Sequence, residues 1–464
     1  MENIKPYSKY KPSGISWLGD VPEHWNIKRI KYVFKEQDKR SEIGSEDLLS
    51  VSHYTGVTKK SDKVVNGDFM TNAKTLVGYK IVEKGDLVIN IMLAWNGSLG
   101  ISKFDGITSP AYCVYKSLIG GEKYFGYLFR TKNAQQEFKK QSTGIIDSRL
   151  RLYTDKFFNI KTVIPSLEEQ TAIANFLDYK TAKIDRFIRK KKQLIKLLNE
   201  QKAGIINHAV TKGLNPNTTM KASDIKWLGE IPEHWEVMKL KYVAEILRGK
   251  FTPRPRNDPK YYDGQYPFIQ TGNVATADKY IETYNQTLND FGYEVSKEFP
   301  VNSVVMTIAA NIADVAILKF NACFPDSIIG FKPFDNIDVE FLYYQLKNLR
   351  PEFFRIAIKS TQYNLNVERV QSVFIVLPSI HEQTAIVSHI EKETAIITKT
   401  IATIEKEIVL TQEYRTALIA EAVTGKIDVR AFVTPTISPQ EELYEEIEEE
   451  LDMVAEDAES YENE

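Results

Sequence analysis

The sequence predicts an α+β protein made by internal duplication, in which two globular domains are each followed by a long helix. Three observations carry that expectation. Trp17-Leu18-Gly19-Asp20-Val21-Pro22-Glu23-His24-Trp25 returns 210 residues later as Trp227-Leu228-Gly229-Glu230-Ile231-Pro232-Glu233-His234-Trp235. Ile164-Pro165-Ser166-Leu167-Glu168-Glu169-Gln170-Thr171-Ala172-Ile173 returns 213 residues later as Leu377-Pro378-Ser379-Ile380-His381-Glu382-Gln383-Thr384-Ala385-Ile386. Each of these entries opens a periodic apolar run that closes on Ala-Val-Thr, at 209–211 and 422–424. A period this long excludes a solenoid and marks a duplicated unit.

At 464 residues the chain is long enough for two or more domains, each with its own core. A 43% hydrophobic and 26% charged composition is that of an ordinary soluble protein. No apolar run approaches the ~20 residues of a membrane span. The opening Met1-Glu2-Asn3-Ile4-Lys5 has no secretory pattern, so a cytoplasmic protein without a membrane partner is expected. Cys113 and Cys323 lack metal-ligand spacing and read as buried small hydrophobes. The net charge of −2 conceals an asymmetry, because residues 441–464 hold 13 of the 62 acidic residues and no Lys or Arg. The remaining body has 60 basic against 49 acidic residues, a balance of +11 that suits a polyanionic partner.

In chain order, residues 1–163 form an extended polar arm of 16 residues and the first domain. Short β-type runs such as Asp86-Leu-Val-Ile-Asn-Ile-Met92 and Ala111-Tyr-Cys-Val-Tyr115 precede a helical pattern over Tyr124–Lys140. Residues 164–214 are the first long helix. Ser166 is placed to cap the N–H of Glu169, and Glu169 to reach back in a capping box; Ser379 and Glu382 repeat the pair. Apolar residues recur at Ile173, Leu177, Ile184, Phe187, Leu194, Leu198 and Ile205. The Asn215–Thr219 loop opens the second domain, 215–376, with runs Ser303–Ile308 and Val373–Leu377 and a helical pattern over Asp338–Ile358. Residues 377–430 are the second long helix, periodic at Ile390, Ile397, Ile404 and Leu418, and 431–464 an acidic tail. Each domain should hold a mostly antiparallel sheet.

The His-Trp repeats put His24 and His234 beside Glu23 and Glu233, but no nucleophile or ligand cluster accompanies them, and they read as packing clasps. Phosphate-binding glycine loops and zinc-type His-Glu-x-x-His are missing from the sequence. Asp258-Pro259-Lys260-Tyr261 lacks the second proline of the Asp/Asn-Pro-Pro-Tyr of amino-methyltransferases. No catalytic residue and no metal site is assigned. The loops are richer. Ser52, His53, Tyr54, Thr55, Lys59, Lys60, Asn96, Arg149 and Arg151 in the first half mix base-reading and phosphate-reading types. The second half offers Arg248, Lys250, Arg254, Arg256, Asn257, Gln270, Thr271, Asn273, Gln362 and Asn364. Arg and Lys pair with guanine edges or phosphate, and Asn and Gln with adenine. The first helix is basic at Lys183, Arg186 and Arg189–Lys192; the second is acidic at Glu391, Glu393, Glu405, Glu407 and Glu413. Complementary flanks of an antiparallel pair explain this, as does a basic stripe over DNA.

The Trp-Leu-Gly-x-x-Pro-x-His-Trp start, the Pro-Ser-x-x-Glu-Gln-Thr-Ala-Ile helix entry and the Ala-Val-Thr exit, each present twice, resemble the specificity subunit of type I restriction–modification systems. The resemblance spans about residues 10–430. It implies two target-recognition domains separated by two long antiparallel helices, each domain reading one half of a split sequence in double-stranded DNA. It also implies two modification subunits carrying S-adenosylmethionine, and restriction subunits using ATP and Mg, with no cofactor in this chain. Gly85-Asp-Leu-Val, Trp95-Asn-Gly-Ser and Ser109-Pro-Ala-Tyr are similar to one class of recognition domain; Phe268-Ile-Gln-Thr-Gly-Asn and Ser360-Thr-Gln-Tyr-Asn-Leu365 are similar to another. The acidic tail departs from the family pattern. The competing expectations are a coiled-coil scaffold or adaptor without DNA readout, and a nuclease or methyltransferase in its own right.

Overall fold

The computed structural model describes residues 5–61, 75–146, 149–309, 311–359 and 363–435. The chain divides into two compact units: one runs up to Lys190 and resumes at Glu407, the other is Lys191–Lys406. The division falls inside each long helix.

In the first unit a four-stranded antiparallel sheet orders Phe34–Gln37, Tyr112–Ser117, Leu87–Asn90 and Leu99–Ile101. Successive side chains of a strand leave by opposite faces. Leu87, Ile89, Cys113 and Tyr115 accordingly enter the main core, while Val88 and Val114 enter a smaller cluster with Leu49, Val51 and Val57. Both faces are covered, which is why Leu87, Val88 and Ile89 follow one another without a polar residue between them. The cover on the second face includes the hairpin Leu49–Ser52/Gly56–Lys59, whose tip is exposed.

The second unit has a five-stranded sheet ordered Ala244–Arg248, Ile328–Pro333, Val304–Thr307, Val315–Leu318 and Tyr280–Ile281, with the last pair parallel. Val304 and Met306 face the main core, and Val305 a second cluster with Phe299 and Phe324. In each unit the strand after the His-Trp pair meets the strand that enters the long helix: Asn26–Arg29 with Lys161–Ile164, and Glu236–Lys239 with Phe374–Leu377.

The long helices span Leu167–Lys212 (46 residues) and Ile380–Val423 (44 residues), ~69 Å and ~66 Å at about 1.5 Å per residue. The first unit's core takes Ile173, Phe176 and Leu177 from the start of the first helix, and Leu418, Ala422 and Val423 from the end of the second. The second unit's core takes Ile386, Val387 and Ile390 from the start of the second helix, and Ile206, Ala209 and Val210 from the end of the first. Within each unit the two helix segments run antiparallel. Asp185 receives Arg415 at 3.0 Å in one, and Lys202 reaches the Thr398 hydroxyl at 2.9 Å in the other. The Asp185–Arg415 pair puts the cation on the second helix, opposite to the broad charge bias of the two sequences.

Four local features differ from the sequence reading. The stretch Tyr124–Lys140 splits into Glu122–Phe129 and Lys132–Gln141, because Thr131 turns extended and its hydroxyl caps the N–H of Ala134. Asp338–Ile358 splits at Leu349, where Pro351 enters the first turn of Arg350–Ile356. The N-terminal arm is no free extension: Tyr10–Pro12 pairs with Asp20–Pro22, and Tyr7 is buried. Along the first helix Phe187 and Leu194 of the apolar repeat are exposed, while Ile188 and Ile206 are buried.

Candidate nucleic-acid interface

Two repeated motifs that lie far apart in sequence meet at the frame that carries the loops. Ser166 Oγ accepts from the Glu169 N–H at 3.2 Å, and Ser379 Oγ from the Glu382 N–H at 3.3 Å, so both serines cap their helices. The glutamate side chains turn to the His-Trp pairs. Glu169 takes His24 Nε2 at 2.9 Å, Trp25 Nε1 at 3.2 Å and the Tyr7 hydroxyl at 3.1 Å. Glu382 takes Trp235 Nε1 at 3.0 Å and His234 Nε2 at 3.1 Å. Burial pushes the Glu169 carboxyl up, but hydrogen bonds from His24 and Trp25 outweigh it and hold the pKa below the ordinary glutamate value. Burial and the neighbouring Glu169 charge raise the Tyr7 phenol. Gly425, at φ +75°, packs against Pro22 and Trp25, and Gly213, at φ +77°, against Trp235. The histidines thus belong to clasps, joined to the helix glutamates rather than to Glu23 or Glu233.

In the first domain Ser52–Thr55 form the tip of the 49–59 hairpin. Ser52 Oγ accepts the Tyr54 N–H at 3.1 Å, and the Tyr54 side chain projects at 80% exposure against the His53 ring. Lys59 is paired with Asp47 at 2.7 Å, and Lys60 continues the same strand edge. Asn96 is exposed in the single turn Ala94–Asn96. Arg149 is exposed, and Arg151 bridges to Thr143 just before Leu152 bonds to Ile91, bringing that loop beside the 91–97 segment.

In the second domain three arginines converge on one residue, Asp326. Arg256 pairs with Asp326, Arg254 Nη2 lies 3.9 Å from its other oxygen, and Arg248 Nε donates to the Asp326 carbonyl at 2.6 Å. Arg254 also donates to the Pro253 carbonyl at 2.8 Å. Lys250 and Asn257 are exposed on the same loop. Gln270, Thr271 and Asn273 open a short helix, where Asn273 Oδ1 accepts the Gln270 N–H at 2.8 Å and Gln270 Nε2 bonds Gln286 at 3.0 Å. Asn364 is exposed beside Ala309; Gln362 lies outside the described residues, as does the tail beyond Pro435. Three residues that organise these loops had no sequence signal: Asp326, Arg130 and Gln135.

Among the described residues no group of three or more His, Cys, Asp or Glu is placed to hold a metal ion, and no helix is long and apolar enough to cross a membrane. The family model for the type I restriction modification DNA specificity domain matches the chain twice, over residues 22–197 and 232–408. The chain belongs to this specificity family. Each match starts at the clasp proline, Pro22 or Pro232, and ends inside a long helix. The chain is similar to the type I restriction enzyme MjaVIII specificity subunit of Methanocaldococcus jannaschii, 26% identical over 444 residues, which cover 88% of this chain and 94% of that one. The MjaIX specificity subunit of the same organism is 21% identical over 461 residues, covering 89% and 95%. A chain from a structure described as the basis of complex assembly and conformational transition of the type I R-M system matches with a TM-score of 0.64 at 16% identity, covering 87% of this chain and 98% of that one. It shares the fold.

Proposed function

We propose that this specificity-family chain is the DNA-recognition subunit of a type I restriction–modification complex, reading a bipartite double-stranded target with one half-site per domain. The observation that carries the reading is the contrast between frame and loops. The clasp, the helix entry and the helix exit are built twice from the same residues, while the exposed turns they support differ in length, charge and bracing. A repeated frame with unlike faces is what two different half-sites require.

On this reading the chain is not an enzyme. It acts in the cytoplasm as the scaffold on which two modification subunits, carrying S-adenosylmethionine, and the restriction subunits, using ATP and Mg, assemble. The exposed apolar residues of the long helices, among them Leu197, Ile396 and Leu410, suit such docking. Mapping methylated adenines in DNA from cells with and without this chain tests the reading. A split motif methylated only when the chain is present supports it. An unchanged map, with the partner subunits present, removes it in favour of a scaffold without DNA readout.

A further inference from the structure

We infer that Arg130 and Gln135 are positioning residues that set the two exposed turns of the first domain, Ser52–Gly56 and Ala94–Gly97, for base reading; the inference rests on the proposed DNA-recognition function. Arg130 ends the helix Glu122–Phe129, and its guanidinium points at the protein's own backbone. Nη2 donates to the carbonyls of His53 at 2.8 Å and Tyr54 at 2.7 Å. These are the two carbonyls at the tip of the 49–59 hairpin, directly under the exposed His53 and Tyr54 side chains. Gly56 follows at φ +74°, and a β-carbon there would lie 3.3 Å from Nη1, so the turn closes onto the guanidinium.

Gln135 extends the brace to the second turn. Its Nε2 donates to the Arg130 carbonyl at 2.9 Å. The same nitrogen lies 2.7 Å from where a β-carbon on Gly97 would sit, at φ +82°. The turn it touches carries Asn96 and Trp95; the indole donates to the Met92 carbonyl at 3.1 Å and lies under Lys139 Nζ, 5.1 Å from the ring. The break between the two short helices at Arg130–Thr131 is what lets one side chain from each face these turns. A guanidinium directed at backbone carbonyls fixes geometry, because both N–H groups of Nη2 lie in the rigid guanidinium plane and each is aimed at one carbonyl. Base reading by bidentate contacts needs that definition.

The test uses the full chain with Arg130→Met and, separately, Gln135→Met, which keeps its length and loses the amide. Hydrogen exchange reads the brace without DNA: amides of 53–57 should exchange roughly tenfold faster in R130M, with Leu87–Asn90 unchanged. R130K, with one ammonium in place of the fork, should fall between. In the assembled complex, methylation mapping should show one half-site relaxed to additional sequences and the other still read as in the parent. Exchange equal to the parent's at 53–57 in R130M, or at 96–98 in Q135M, overturns the brace at that turn. Faster exchange with both half-sites read normally, or both degraded alike, overturns the specificity role. A parent chain that directs no methylation at a split site instead overturns the DNA-recognition function, and the exchange result then stands as a statement about the fold alone.

Discussion

Replacing the clasp glutamates by alanine tests whether the two clasps, alike in sequence, differ in strength as their surroundings require. Glu169 is 6% exposed at its side chain and accepts from three donors, of which the Trp25 indole and the Tyr7 hydroxyl are buried. Each buried donor left unpaired costs ~1–3 kcal/mol, so Glu169→Ala should destabilise the first unit by about 3–5 kcal/mol. Glu382 is 27% exposed and accepts from Trp235 and the exposed His234; position 217, the counterpart of Tyr7, is an asparagine. Only one buried donor is orphaned there, and about 1–2 kcal/mol is expected. A two-domain chain has no single unfolding free energy, so the assay is hydrogen exchange of peptides 19–33 and 229–243 in the two variants. Glu169→Ala should open the first peptide more than Glu382→Ala opens the second. The reverse order, or protection unchanged in both, refutes the clasp as a stabilising device. The pH dependence has a definite sign. The Glu169 carboxyl is lowered on folding, so its contribution is complete above the ordinary glutamate value of ~4.3 and is lost as pH falls through the lower folded value. Protection of 19–33 should therefore hold at neutral pH and decline on acidification in the parent, and be flatter in Glu169→Gln.

Gly425→Ala would place a β-carbon 2.4 Å from Pro22 Cδ at φ +75°, whereas Gly229→Ala at φ +60° meets open space; the first should cost about 2–4 kcal/mol and the second about 1 kcal/mol, read as lost exchange protection in peptides 19–33 and 229–243 respectively. Arg254→Ala with Arg256→Ala should disturb one half-site in methylation mapping and leave the other, while Asp326→Asn, by releasing both guanidiniums, should raise salt-sensitive affinity for random DNA; equal loss at both half-sites counts against separate recognition domains. Truncation after Pro435 removes the 13 acidic residues of 441–464 and should tighten binding to random DNA at low salt, an effect whose absence retires a screening role for the tail.

The duplication, the long helices and the sheet runs were legible because they are local patterns: repeated strings, apolar periodicity and Gly-Asn turns. The serine caps were legible for the same reason. The glutamate's second partner was not, since His24 lies 145 residues from Glu169 and nothing in either segment names the other. The break at Arg130–Thr131 escaped a reading of apolar spacing because Thr131 acts through one hydroxyl hydrogen bond. Loop residues were legible as a chemical type but not as an arrangement. Arg254 and Arg256 look like free cations in sequence, yet Asp326, some 70 residues on, gathers them. The heptad pattern overstated burial in the first helix, because a repeat records where apolar residues fall and not which of them find a partner.

The internal duplication also separates two kinds of constraint within one chain. Residues that recur do the same work in both units: a tryptophan indole donates to the glutamate of a helix entry, and a glycine after a helix exit packs on that tryptophan. Each unit takes the entry from one long helix and the exit from the other, so the first core closes only when the chain returns at Leu418–Val423, while the second closes within Lys191–Lys406. Ala209 and Val210 lie in the second core, and Ala422 and Val423 in the first, which explains why both exits keep the same small apolar residues. The loops between face a different demand and meet it differently, one turn braced by Arg130 from below, one basic segment gathered by Asp326. Damage to a recurring residue should therefore loosen a whole unit without changing which bases are chosen. Damage to a loop brace should change the choice and leave the unit folded. That dissociation separates a recognition subunit from a scaffold, in which the loops would be spectators.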